Sequence, residues 1–131
     1  MVAMADVAVK KSKIHGMGVF ASRNFNAGEI VIVWDISHLL TPEEARKLPE
    51  AKKKYIAHTN GKIILQQSPA KYINHSCDAN TRVENFCDVA IRHIKKGEEI
   101  TSNYSDDLGP GEMMKCSCGS KNCRKIIKSD K

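Results

Sequence analysis

The stretch YINHSCDAN, residues 72–80, places Asn74, His75, Ser76, Cys77, Asp78 and Asn80 directly after apolar Tyr72 and Ile73. Polar density of this kind suits a buried turn whose side chains pair with one another, and Asn74 and Asn80 can hold a loop by local hydrogen bonds. A purely structural turn is the competing reading. His75 is either a metal ligand or a hydrogen-bonded histidine, and the other four (His15, His38, His58, His93) show no ligand spacing. Downstream, MKCSCGSKNCRKII (114–127) carries Cys116, Cys118 and Cys123 as C-x-C-x4-C. A structural zinc takes four ligands, so this tail supplies three and needs one more. A redox pair or a set of thiols is the alternative.

Two further stretches carry candidate chemistry. In KIHGMGVFA (13–21), Gly16 and Gly18 flank Met17, and glycines let a backbone turn sharply or approach a ligand closely. The stretch has neither G-x-G-x-x-G nor P-loop spacing, so a tight turn between strands is the simpler reading. In GEEITSNYSDD (97–107), Tyr104 ends an apolar-polar strand beside Asp106 and Asp107.

The rest of the chain frames these motifs. VAVKKS, GVFAS, EIVIVWD and KIILQQ are short β-branched runs that predict strands. TRVENFCDVAIRHI (81–94) reads as one long strand with Val83, Cys87, Val89 and Ile91 on one face, and EEITSNY as another. Asn60-Gly61 marks a hairpin or loop turn. Thr41, Pro42 and Glu44 predict a capped helix over TPEEARKL. Pro49 ends it or starts a second helix, PEAKKKYIAH. GPG (109–111) marks a hinge before the cysteine tail.

At 131 residues with 41% apolar and 27% charged side chains, the chain fits one domain with a real core. It holds no apolar run of membrane-spanning length, so no membrane partner is expected. MVAMADVAVKK lacks the order of a signal peptide, and a reducing compartment is the default. Five cysteines there favour metal binding over disulfides. The net charge of +6 is uneven: residues 72–114 carry 4 basic and 8 acidic side chains, residues 1–71 carry 11 and 6. Dispersed lysines and only 5% aromatic residues make direct nucleic-acid binding a weak reading. KLPEAKKK reads as a solvated face.

HGMGVFA, AKYINHSCDANT, GEEITSNY and CSCGSKNCRKII occur in the order and spacing of a SET-domain protein lysine methyltransferase with a post-SET tail. The resemblance runs from Ser12 to Ile127. It implies a β-rich fold, a β-clip with a pseudoknot, with a short helical insert and a zinc-bound C-terminal segment. The SET domain would occupy 6–108 and the post-SET segment 112–128. It implies S-adenosylmethionine as methyl donor, held at His15, Gly16, Met17, Asn74 and His75, and Tyr104 as the catalytic residue. It implies one structural zinc on Cys77, Cys116, Cys118 and Cys123, with Cys87 left as apolar filler. The partner implied is a protein or peptide with a target lysine, a histone among the candidates. Such minimal members can form homodimers that complete the site. The location implied is cytoplasmic, or nuclear and chromatin-associated.

The chain departs from the family pattern at several positions. Lys71-Tyr72 replaces Arg-Phe, Ala79 replaces proline, Ser102-Asn103 replaces an aromatic-Asp pair, and Lys125 replaces the glycine of C-R-G. Ser102 leaves room that suits di- or trimethylation. Asp106 and Asp107 would attract a basic peptide, and Tyr55 would line the lysine pocket or serve as a core or surface tyrosine. These departures motivate the alternative of a non-catalytic SET-like binding module.

Overall fold

The computed structural model describes residues 6–106, 108–109, 111–116, 120–121 and 123–129. In chain order the strands begin with β1 (Val7–Lys11), β2 (Met17–Ala21), β3 (Ile30–Val33) and β4 (Leu39–Leu40). Helices α1 (Pro42–Lys47) and α2 (Glu50–Lys53) follow. Then come β5 (Ile56–Thr59), β6 (Lys62–Leu65), β7 (Asn74–His75), β8 (Thr81–Glu84), β9 (Cys87–Ala90) and β10 (Glu99–Ser102). The tail adds β11 (Met113–Lys115) and β12 (Ile126–Lys128).

Small sheets, rather than one large one, build the molecule: β1-β2-β10-β7, β3-β9-β8, β4-β6-β5 and the ribbon β11-β12. They share a core in which Val19, Phe25, Val31, Ile64, Ile94 and Ile100 are fully buried. Burying each such side chain stabilises the fold by about 1.5–3 kcal/mol. Phe25 and Ile94 also exchange backbone hydrogen bonds of 2.8 and 2.9 Å, tying two long connections to each other.

The expected capping box is present. The Glu44 N–H donates to Thr41 Oγ1 at 3.1 Å, and the Thr41 N–H donates to Glu44 Oε1 at 2.9 Å. Asn60 and Gly61 have φ of 50° and 70° and close the β5–β6 hairpin. Two positive φ values in a two-residue loop match the twist of paired strands.

Two expectations give way. The long strand over 81–94 is a hairpin: Asn85 and Phe86, at φ 49° and 60°, turn β8 back on β9, with Glu84 opposite Cys87. The single face breaks accordingly, since Val89 is buried while Ile91 is 45% exposed. Cys87 opens β9 half-buried, rather than filling the core from mid-strand. The second helix stops at Lys53 instead of reaching His58. Ile56–Thr59 pairs with β6, and that ladder overrides local helical preference.

The pairing that positions the site is parallel. β7 lies beside β10 with Asn74 opposite Thr101 and His75 opposite Ser102. The motif at 72–80 is thereby laid against the strand that ends at Tyr104.

Candidate active site and cysteine cluster

A cavity of about 910 Å³ opens where these strands meet the helical insert, within the size range of small-molecule sites. His15, Gly16 and Met17 line it from the turn between β1 and β2, Asn74 from β7, and Ser102 and Tyr104 from the end of β10. Gly16 has φ 44° and supplies the left-handed residue of that turn. Gly18 serves a different purpose. A Cβ there would run into the Glu99 carboxylate and lie 2.9 Å from Ser12 Cβ. Its close approach is therefore to Glu99, whose carboxylate accepts from Ser12 Oγ at 2.8 Å.

Asn74 locks this turn to the site. Its Nδ2 donates to His15 O (3.0 Å), Met17 O (3.1 Å) and Glu99 Oε2 (2.9 Å). Three acceptors share two amide hydrogens, so the nitrogen has nothing left for a ligand. The atom Asn74 can offer the cavity is its carbonyl oxygen, an acceptor suited to an ammonium group.

His75 does not line the cavity. Its Nδ1 accepts the Tyr104 backbone N–H at 3.0 Å, which leaves the ring proton on Nε2. Nε2 faces Cys77 Sγ at 3.3 Å. Burial first, and the nearby Arg124 charge second, push the His75 pKa down to about 4, so the ring is neutral near pH 7. The rings of His75 and Tyr104 lie 5.3 Å apart, tilted. The Tyr104 hydroxyl donates to Ile73 O across the cavity wall.

Behind that wall the cysteines gather. Cys116 Sγ is 3.8 Å from Cys77 Sγ and 3.7 Å from Cys123 Sγ. Disulfide sulfurs sit about 2.05 Å apart, so these pairs are not bonded. Tetrahedral zinc with Zn–S near 2.3 Å sets sulfur–sulfur edges of about 3.8 Å. The separations therefore fit a shared zinc. Cys118, expected as a fourth ligand, lies outside the described residues. His75 is near enough to Cys77 and Cys116 to be weighed as a ligand. Its Nε2 proton makes it a hydrogen-bond donor to the Cys77 sulfur instead. Arg124 adds donors to the same sulfur from its backbone N (3.3 Å) and Nε (3.4 Å).

Arg124 then reaches past the cluster. Nη1 donates to Ser105 Oγ at 3.0 Å and Nη2 to Asn103 Oδ1 at 2.7 Å. These two residues flank Tyr104.

The SET domain family matches residues 16–105. This chain belongs to the SET domain family. Histone-lysine N-methyltransferase 2B of Homo sapiens is 32% identical over 139 residues, covering 92% of this chain and 5% of that protein. Histone-lysine N-methyltransferase trithorax of Drosophila virilis is 31% identical over 137 residues, covering 92% and 4%. Histone H3-lysine(4) N-trimethyltransferase ATX1 of Arabidopsis thaliana is 32% identical over 140 residues, covering 92% and 13%. The chain thus spans a small fraction of the length of these relatives.

In this SET domain the cavity gathers His15, Gly16, Met17, Asn74 and Tyr104, and it places the His75 ring and the three described cysteines behind them. Tyr55 lines the cavity and meets Tyr72 edge-on at 6.5 Å. Asp107 and the side chain of Asp106 lie outside the described residues. Sequence reading missed Ser12, Glu99 and Arg124, whose partners are 19 or more residues away. It also missed Trp34, whose Nε1 donates to buried Asp88 Oδ2 at 2.7 Å in the cavity wall. Burial pushes the Asp88 pKa up to about 7, against the lowering effect of the Trp34 hydrogen bond. Lys125 departs from the C-R-G glycine and carries φ 65°, the left-handed region a glycine would occupy without strain.

Proposed function

We propose that this chain is an S-adenosylmethionine-dependent protein-lysine N-methyltransferase. The observation that carries the reading is the convergence of the G-x-G turn, Asn74 and Tyr104 on one cavity. The cofactor, when bound, supplies an electrophilic methyl group on a sulfonium. The residues present suit it: the Asn74 oxygen is left as an acceptor for its amino group, and His15, Gly16 and Met17 offer a backbone cradle. The side chain of His75 is committed to Tyr104 and Cys77, so cofactor contact at that position would come from its main chain.

The chain's own task is to present a neutral lysine amine in line. Neutralising a lysine of pKa near 10.4 at pH 7 costs roughly 4.6 kcal/mol. Apolar walls reduce that cost by disfavouring the ammonium. Tyr104, redirected from the Ile73 carbonyl, orients the amine, and alignment supplies a large share of the rate. Buried Ser102 leaves space beside Tyr104 for an already methylated amine, which favours di- or trimethylation.

Cys77, Cys116, Cys118 and Cys123 hold one structural zinc in this reading, and residues 112–128 act as a post-SET segment beside the SET domain at 6–108. The separations among the three described sulfurs support it. The substrate is a protein lysine; histones are candidates because of the relatives' names, and those names also favour a nuclear setting. Pairing of two copies is compatible with exposed apolar residues such as Ile30, Val33 and Leu39. Among the described residues no helix is long and apolar enough to cross a membrane.

The test is transfer of a labelled methyl group from S-adenosylmethionine to mixed histones and lysate proteins by the zinc-loaded chain. Label on lysine, identified by mass, is expected. Cofactor binding with no acceptor labelled in any mixture would favour the non-catalytic binding module.

A further inference from the structure

The GPG stretch, expected as a hinge, begins with a buried residue, Gly109. A Cβ there would lie 2.7 Å from Glu112 Oε1 and 3.1 Å from His58 Cε1. Glycine at this position therefore lets two titratable side chains, one from the tail and one from β5, meet over its backbone. The Gly109 N–H donates to Glu112 Oε1, and the Glu112 N–H donates to Gly109 O at 3.1 Å. The Ser129 N–H, just past β12, donates to Glu112 O at 3.0 Å. Both ends of the cysteine tail thus converge on Glu112.

Across the gap Glu112 meets the helical insert. Its Oε1 lies 3.6 Å from His58 Nε2. That separation is too long for a hydrogen bond, so the attraction depends on charge. A protonated imidazole is drawn to the carboxylate, and a neutral one gains almost nothing. The Glu112 side chain is 53% exposed and that of His58 27%, so water screens the pair and keeps it weak enough to open. Among the described residues His58 pairs with no other carboxylate. Within the insert, apolar Ile63 lies opposite His58 on β6, Lys62 lies opposite Thr59, and Lys54 precedes the strand. Lysines do not titrate between pH 6 and 8, whereas histidine does. Leu108, Gly109 and Glu112 line the cavity from the tail side, and Ile56, His58 and Ile63 line it from the insert. Parting His58 from Glu112 would widen the cavity where insert and tail meet.

We propose that His58 and Glu112 form a proton-operated clasp between insert and tail, shut while His58 is charged and loosened as the pH rises. Exchange of molecules through this gap is then fastest on the alkaline side. A lysine acceptor also loses its proton most readily there. The clasp goes beyond the methyltransferase reading and stands without it, because it operates in the chain with nothing bound.

The experiment measures hydrogen exchange by NMR on the zinc-loaded chain without cofactor at about pH 6 and pH 8. Each rate is divided by the unstructured rate at the same pH. Parent, His58→Gln and Glu112→Gln are compared, and metal content is checked at each pH. At pH 8 the Gly109 and Glu112 amides should be equally protected in parent and variants. At pH 6 the parent should be protected about two- to fivefold more than either variant, the span of a partly exposed ion pair. Core amides such as Val19 and Ile100 should not differ between the chains. Because all three share the cysteines, any loosening of the metal site by acid cancels in the comparison. A parent-to-variant ratio that stays constant with pH, or rises toward pH 8, would overturn the clasp. So would a difference that appears equally in the core amides. Absence of methyl transfer would defeat the enzymatic reading and leave this result standing.

Discussion

Asn74 donates to two carbonyls of the G-x-G turn and to Glu99, and in doing so determines which of its own atoms remains for a ligand. Single residues elsewhere carry comparable consequences. Asp88 is held uncharged up to about pH 7 by burial, whereas in the unfolded chain it ionises near pH 4. The native state therefore keeps a proton that the unfolded state has lost, and stability falls as pH rises from about 4 to 7. Asp88→Asn retains an acceptor for the Trp34 indole and removes this ionisation. Its unfolding free energy from denaturant titration should exceed that of the parent at pH 8, by a few kcal/mol at most, and match it at pH 4. A difference independent of pH would locate the effect in packing. Lys125 holds a left-handed backbone at a cost of roughly 1 kcal/mol. Lys125→Gly should slow zinc release to a chelating dye by several-fold.

At the scale of elements, local chemistry was legible in the sequence and cross-chain chemistry was not. The Thr41 capping box and the Asn60-Gly61 turn announce themselves because their partners are three residues away or less. The Asn85-Phe86 turn has no glycine and sits between two strand-like runs, so hydrophobic alternation reads straight through it. β5 looks helical until β6 pairs with it. The motif residues were found by order and spacing. The Arg124 guanidinium, whose partners are 19 and 21 residues away, leaves no periodic trace. That side chain joins the cysteine tail to both neighbours of Tyr104. Arg124→Gln should lower kcat about tenfold, since charge-assisted bonds to Asn103 and Ser105 are lost. Metal content should remain, because the backbone N–H of residue 124 still reaches Cys77. Loss of metal with loss of activity would make Arg124 a structural support for the cluster instead.

Across the whole molecule, four small sheets bring distant segments to one cavity, and the tail closes from behind. Cys77 receives donors from His75 and Arg124, and both also contact the Tyr104 loop. Metal at the cysteines would thus stiffen the Tyr104 loop as well as the tail. Chelation, or Cys77→Ser, should raise amide exchange across 113–128 and at Tyr104, while β1, β2 and the core strands stay protected. Uniform loss of protection would show that the metal supports the entire fold.

The central claim is that Tyr104 acts in methyl transfer within a cofactor site it does not itself build. The most direct measurement pairs calorimetric binding of S-adenosylmethionine with single-turnover methyl transfer for the parent chain and Tyr104→Phe. Cofactor affinity should be unchanged within about twofold, while transfer falls by about a hundredfold or more. Transfer at the parental rate in Tyr104→Phe, with cofactor bound, would contradict the account.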